Sequence, residues 1–289
     1  MASVLNTNMS SISAQKYLST AQNKLQVSFE RLSSGSRINR AQDDAAGMGI
    51  SQKLTASINS TSVAMRNAND GIGVLQTAEG ALSEISNMLQ RFKELSVQGG
   101  NPALSTSQRG FLSLEMNGLK SEIEAISERT RFNGTSLLGN TSGSGGDPER
   151  LVFQTGEGTT DTLTVSTLNV TRGAAIVDLF TNPFVNEDGN GAITATSAFQ
   201  ELATKIDSAI DEVASARARF GAQVNRLNYN LANLSALYEN LSAANSRVVD
   251  TDYANETAQL TKTQILQQAA TAMLSQANAQ PNVVLALLK

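Results

Sequence analysis

From Phe199 to Leu241 the apolar residues Phe199, Leu202, Ile206, Val213, Phe220, Val224, Leu227, Leu231, Leu234, Tyr238 and Leu241 follow one another in steps of three, four or seven. That spacing is a heptad seam and predicts a helix over about 197–245. At ~1.5 Å per residue the helix is on the order of 70 Å long, with one apolar stripe that needs partners. The N-terminal half supplies them. Ile50, Leu54, Ile58, Met65, Ile72, Leu75, Leu82, Leu89 and Phe92 repeat the same steps, and Gly99, Gly100 and Pro102 then end the helix. A shorter helix follows, with Leu112, Met116, Leu119, Ile123 and Ile126 on one face, and it closes at the turn pair Asn133-Gly134.

Residues 139–146 turn to Gly, Ser, Asn and Thr, which favours a loop. Leu151–Gln154 and Leu163–Ser166 flank a Gly156-Glu157-Gly158 turn region and read as a β-hairpin, while 170–196 has no regular pattern beyond an apolar piece at Ile176–Phe180. The expected architecture is mainly α: a long antiparallel helical bundle or coiled coil, with a small β-hairpin region at 139–196 inserted between the N- and C-terminal helices.

Both chain ends carry further amphipathic patterns, through Met9, Ile12, Leu18, Leu25, Phe29 and Leu32, and through Leu266, Ala270, Met273, Ala277, Val284 and Leu288. Their apolar faces are thin and rich in Ala, Ser, Thr, Gln and Asn. Burial of such faces within one chain barely matches an ordering cost of ~1–2 kcal/mol per residue, so the ends are expected to order mainly on assembly.

Composition narrows the function. The 289 residues include no Cys, His or Trp. Cys-His and Ser-His-Asp nucleophile systems are thereby excluded, as is any metal site that needs thiolate or imidazole. Net charge is −4 with no block of Lys or Arg, which argues against nucleic acid as a partner. The apolar run Val283–Leu288 falls far short of the ~20 residues that span a bilayer, so no membrane partner is expected. Asn6, Ser10, Gln15, Lys16, Asn23 and Lys24 interrupt every apolar run of a cleavable signal peptide, leaving a cytosolic chain or one exported without cleavage. The heptads alone fit a polymerising subunit and a secreted coiled-coil interaction protein equally.

The segment Leu32-Ser-Ser-Gly-Ser-Arg37-Ile-Asn39-Arg-Ala-Gln-Asp43-Asp44-Ala-Ala-Gly47-Met-Gly-Ile50 strongly resembles the signature of bacterial flagellins. The likeness continues through Arg66–Ile72, Gln76–Leu82, Gln90–Gln98 and Arg131–Gly134. It returns in Ala216–Ala222, Asn228–Leu241, Asp250–Glu256 and the tail Gln276–Leu288. It covers about 1–140 and 197–289.

The resemblance implies a non-enzymatic, cofactor-free subunit of the extracellular flagellar filament, with the hook-filament junction paralogue as the alternative. It implies two layers: an inner core from residues 1–42 and 246–289, and an outer core from 43–245 without large outer domains. The implied partners are other copies of the chain, an export chaperone and cap, sister flagellins, and Toll-like receptor 5. Arg91, Leu95 and Glu115 match the family's receptor-contact positions, but the same surface serves assembly in the family, which is the favoured role, and the plainer alternative makes Arg91 and Glu115 solvated charges or subunit contacts and buries Leu95. Arg37, Asn39, Asp43 and Asp44 are assigned to the joint between layers, where the two carboxylates also suit a helix N-terminus.

Three weaker patterns complete the reading. Asn186-Glu-Asp188-Gly-Asn190-Gly191 imitates the start of a calcium loop, but the twelfth position is Ser197 where a bidentate Glu belongs, so an ordinary turn is favoured. Glu122 and Glu124 lie on diverging helix faces and make poor acid-base partners. The Ser and Thr of 141–144 and 159–171 suit O-glycosylation no better than simple loop and strand propensity.

Overall fold

The computed structural model describes residues 7–139, 150–166, 170, 176 and 195–287. Their order is α1 (Met9–Ser34), α2 (Ala45–Gly99), α3 (Thr106–Arg129), β1 (Arg131–Phe132), β2 (Thr135–Ser136), β3 (Arg150–Gln154), β4 (Thr162–Ser166), α4 (Thr196–Val249) and α5 (Tyr253–Leu287). The mainly α class with a small β region between the helices is therefore observed. The calcium-like segment 186–191 and the Ser/Thr cluster 141–144 lie outside the described residues.

The helix ends follow from local chemistry. Asn8 caps α1 by accepting a hydrogen bond from the Ser11 amide, and Gly35 ends it in the left-handed region at φ 72°. Ser105 and Gln108 form a reciprocal capping box at the start of α3. Asn133 and Gly134 both have positive φ, 49° and 83°, as the two-residue turn between β1 and β2 requires. Strands β3 and β4 pair antiparallel, with Leu151 opposite Val165 and Phe153 opposite Leu163.

The chain divides into two compact units: residues 59–238, and the two ends, 1–58 with 239–289. In the first, α2, α3 and α4 enclose a continuous core. Phe92, Phe199, Phe220, Leu75, Leu82, Ile85, Leu89, Met116 and Ile123 are almost wholly buried there. Gly99 is needed at one close approach, because a Cβ would come within 2.4 Å of the Phe199 ring. The buried Ser96 hydroxyl donates to the Phe199 carbonyl oxygen at 2.7 Å, and Ser127 donates to that of Leu138 at 2.7 Å. Arg217 pairs with Glu79, and Lys93 with Asp207. The predicted helical seams supply about half of this core, and off-seam helical residues such as Val74, Ala78, Ile85, Leu95, Ala209 and Ala216 join them. Tyr238, at the end of the α4 seam, is exposed.

The unit of chain ends is built differently. Helices α1 and α5 run antiparallel, since the Asn8 side-chain amide donates to the Ala277 carbonyl oxygen at 2.7 Å while Arg31 faces Glu256 at 3.7 Å. On α1 the inward positions are Ala14, Leu18, Ala21, Leu25, Ser28 and Leu32; on α5 they are Glu256, Leu260, Thr263, Gln267, Ala270, Leu274 and Ala277. Steps of four and three alternate along both. The fully buried members are small: Ala14, Ala21, Ser28, Thr263, Ala270 and Ala277.

Leu18, Leu25, Leu32, Ala270 and Ala277 thus lie inward as predicted, and the rest of the predicted face is corrected. Met9, Ile12 and Phe29 on α1, and Leu266 and Met273 on α5, are exposed rather than inward. Small side chains allow the helix axes to approach closely, so the interface forms along the Ala stripe and turns the bulkier residues outward. The side chains of Val284 and Leu288 lie outside the described residues. In the same unit Ile50 is exposed, though its spacing put it on the α2 seam; α2 meets α4 there through the Ser51–Asn245 hydrogen bond at 2.9 Å.

Candidate assembly site

Residues 35–44 link α1 to α2, and 250–252 link α4 to α5. The two links are bonded to each other. The Arg37 amide donates to the Val249 carbonyl oxygen at 2.6 Å, the Thr251 amide donates to that of Gly35 at 2.9 Å, and Ser36 bridges Asp250 between them. The Arg37 guanidinium adds a bond to the Val248 carbonyl oxygen at 2.8 Å, satisfying an acceptor left open at the end of α4.

Each joint residue predicted from sequence has a place here. The Asn39 side chain donates to the Ser36 carbonyl oxygen at 3.1 Å. One Asp43 oxygen accepts from the amides of Asn39 and Arg40 at 3.1 and 3.0 Å. Asp44 caps α2, its carboxylate accepting from the Gly47 amide at 2.9 Å. A Cβ on Gly47 would lie 2.5 Å from that carboxylate and 2.6 Å from the end of the Ile38 side chain, so a larger residue would have to displace them.

Two residues without a predicted role complete the joint. Glu30 takes Arg40 in a bidentate ion pair at 3.0 Å, and Asp252 caps α5 through the Ala254 and Asn255 amides. An acidic residue just before a helical run is a readable cap signal and could have found Asp252. The Glu30–Arg40 pair crosses a non-helical link and has no such signal. Amide donors hold the Asp43 carboxyl below the ordinary carboxylate range, Arg40 first and Asn39 second. The Asn255 amide and side chain do the same for Asp252.

A groove of about 940 Å³ runs beside the α1–α5 seam. Its lining includes the small seam residues Ala14, Ala21, Ala270 and Ala277, and the bulky residues Met9, Tyr17, Leu266 and Met273. All four bulky side chains are exposed, from Tyr17 at 71% to Leu266 at 49%.

In the other unit, Arg91 reaches from α2 to Glu115 on α3 through two hydrogen bonds at 3.0 and 2.8 Å, and to Glu94 at 2.9 Å. The two carboxylates hold its guanidinium charged. Leu95, expected beside them on a contact face, is 1% exposed and belongs to the core. It falls on the stripe of Phe92 and Gly99, which faces α4 at Phe199. No described residues form a cluster of carboxylates that could hold a metal, and no described helix is long and apolar enough to cross a membrane.

Known proteins show the same halves. The bacterial flagellin N-terminal helical region matches residues 5–142, and the flagellin C-terminal helical region matches 203–288. The chain belongs to the bacterial flagellin family. The flagellin of Bacillus subtilis is 40% identical over an alignment covering 99% of both chains, and flagellin B of Vibrio cholerae is 35% identical with full coverage of both.

Among solved structures, a Bacillus cereus flagellin covers 62% of the chain at 30% identity with a TM-score of 0.49. A putative flagellar hook-associated protein from Vibrio parahaemolyticus covers 72% at 15% identity with a TM-score of 0.59. The second likeness is one of fold alone. Full-length identity favours the flagellins, and with them a structural subunit of the bacterial flagellar filament rather than the junction paralogue.

Proposed function

We propose that this flagellin polymerises by covering the α1–α5 groove with other copies of itself, and that the joint at residues 35–44 and 248–252 fixes how the paired ends meet the rest of the chain. The carrying observation is the inverted burial of the terminal pair, with Met9, Tyr17, Leu266 and Met273 outside and alanine within. Residues 1–42 and 246–289 are then the inner core, and 43–245 the outer. Such a subunit leaves the cell without signal cleavage, guided by an export chaperone and placed by a cap, and it can share its filament with sister flagellins. It performs no catalysis.

Leu266→Asp tests this reading. The substituted side chain is half-exposed, so monomer stability should change by no more than about 0.5 kcal/mol in urea unfolding. Electron microscopy after salt-induced assembly should show filaments for the parent and none for the variant. Equal filament yield from both would overturn the groove as the interface. Toll-like receptor 5 is a second partner by family, and Arg91 with Glu115 offers the exposed polar surface for it; the buried Leu95 supports that surface from beneath.

A further inference from the structure

Among the six described methionines, Met116 is wholly buried and Met48, Met65 and Met88 are half-buried, whereas Met9 and Met273 are each 64% exposed. Those two lie on different helices yet line one groove, beside Tyr17, Leu266 and Ala270. The lining has no carboxylate, and Lys24 is its one charged residue. Thioether sulfur reacts with peroxides according to its access, and the product is polar where the parent was apolar.

We propose that Met9 and Met273 are the oxidation sites of the unassembled chain, and that their conversion to sulfoxides blocks its polymerisation. The oxidant is a hydroperoxide. Its terminal oxygen passes to the Sδ lone pair, forming the S–O bond as the O–O bond breaks. Sulfur loses two electrons, and the departing oxygen keeps the bonding pair and takes up the displaced proton; hydrogen peroxide leaves as water. Each sulfoxide places a strong dipole among the apolar side chains Met9, Tyr17, Leu266 and Met273 that a docking copy would cover, so that copy must desolvate an oxygen where the parent offered an apolar thioether. The blocking half of the proposal rests on the groove being the assembly surface; the choice of sites does not.

Peroxide-treated monomer, mapped residue by residue with mass spectrometry, should carry sulfoxide at Met9 and Met273 well before Met116. After removal of peroxide, its filament yield should fall about tenfold or more. The M9L/M273L double variant keeps apolar volume without sulfur, and should polymerise equally well with and without treatment. Preassembled filaments should resist oxidation at both positions.

Oxidation of Met116 as fast as Met9 and Met273 would overturn the site assignment. Undiminished assembly of doubly oxidised chains, or equal peroxide sensitivity in M9L/M273L, would overturn the block. Failure of the untreated parent to form any filament sinks the groove reading and the block together, while the monomer map still decides the sites.

Discussion

The two units use helices of the same kind to opposite ends. Residues 59–238 place most of their Phe, Leu, Ile and Met inside, and their surface carries ion pairs such as Arg91–Glu115 and Arg217–Glu79 beside a few exposed apolar side chains, Val97, Phe111, Leu114 and Tyr229 among them. The terminal pair seats alanine, serine and threonine at its most buried positions, with Leu18, Leu25, Leu32, Leu260 and Leu274 half-buried between them, and leaves Met9, Ile12, Tyr17, Phe29, Leu266 and Met273 out. Apolar burial contributes ~25 cal/mol per Å², so an alanine seam leaves most of the pair's hydrophobic stabilisation unused within one chain. A bulky outward face makes sense for a surface that other subunits cover. On the proposed reading, the first unit is stable alone and the second becomes stable in company.

The largest effect expected from breaking this contrast is Phe199→Ala. The ring is fully buried against Gly99, and its removal leaves a cavity between α2 and α4. A loss of about 3–5 kcal/mol is expected in urea unfolding of the monomer. A loss below about 1 kcal/mol would mean that this core is looser than its burial implies.

Overpacking the other seam should do less. Ala270→Leu adds volume where α1 and α5 approach closely, at a cost of about 1–3 kcal/mol confined to the terminal pair. Limited proteolysis of the monomer reads both the variant and the parent. Faster cleavage within α1 and α5 of the variant, with cleavage in 59–238 unchanged, is the expected pattern. Termini of the parent as resistant as its centre would sink the idea that the ends order mainly on assembly.

The same contrast explains what sequence could and could not reveal. Helices α2 and α4 were legible because bulky residues repeat in register over many turns, and the fold's own core satisfies them. Asn133-Gly134 announced its turn because positive φ at two successive positions has few solutions. The terminal faces were legible in part: Leu18, Leu25, Leu32, Ala270 and Ala277 face inward as their spacing predicts, while Met9, Ile12, Phe29, Leu266 and Met273 were misplaced because the alanines between the leucines carry little hydrophobic signal. Asp44 was legible as a cap, being local. The Arg37 bond to Val248 joins residues far apart in sequence and leaves no local trace. Leu95 follows Arg91 by one helical turn, yet a rotation of some 40° takes it from the rim into the core.

Smaller effects belong to the joint. Asp44→Ala removes the α2 cap and should destabilise the end of the helix by about 1 kcal/mol, seen as faster amide exchange at Gly47 and Met48. Acid acts on its neighbours through protonation. Asp43 and Asp252 have lowered folded-state pKa values, so their contribution is present above the unfolded value and is lost as pH falls through the folded one. The joint should therefore hold at neutral pH and loosen only below about pH 4. The amide shifts of Asn39 and Arg40 should titrate with a midpoint below that of an unfolded Asp; a midpoint at or above it would contradict the hydrogen bonds assigned to Asp43.

Arg91→Ala should have the least effect on folding. Its ion pair with Glu115 is half-exposed on both sides, and such pairs contribute between nothing and about 1 kcal/mol once screening is counted. The expected loss is within about 0.5 kcal/mol, shrinking further in high salt. Leu95→Ala, one turn away, should lose several times more because it opens the core. The pair of variants separates two explanations for any defect in receptor signalling. A defect in Arg91→Ala with unchanged urea midpoint places the contact on the polar surface. A defect confined to Leu95→Ala, together with a lowered midpoint, would show that signalling fails because the unit that carries the surface has loosened.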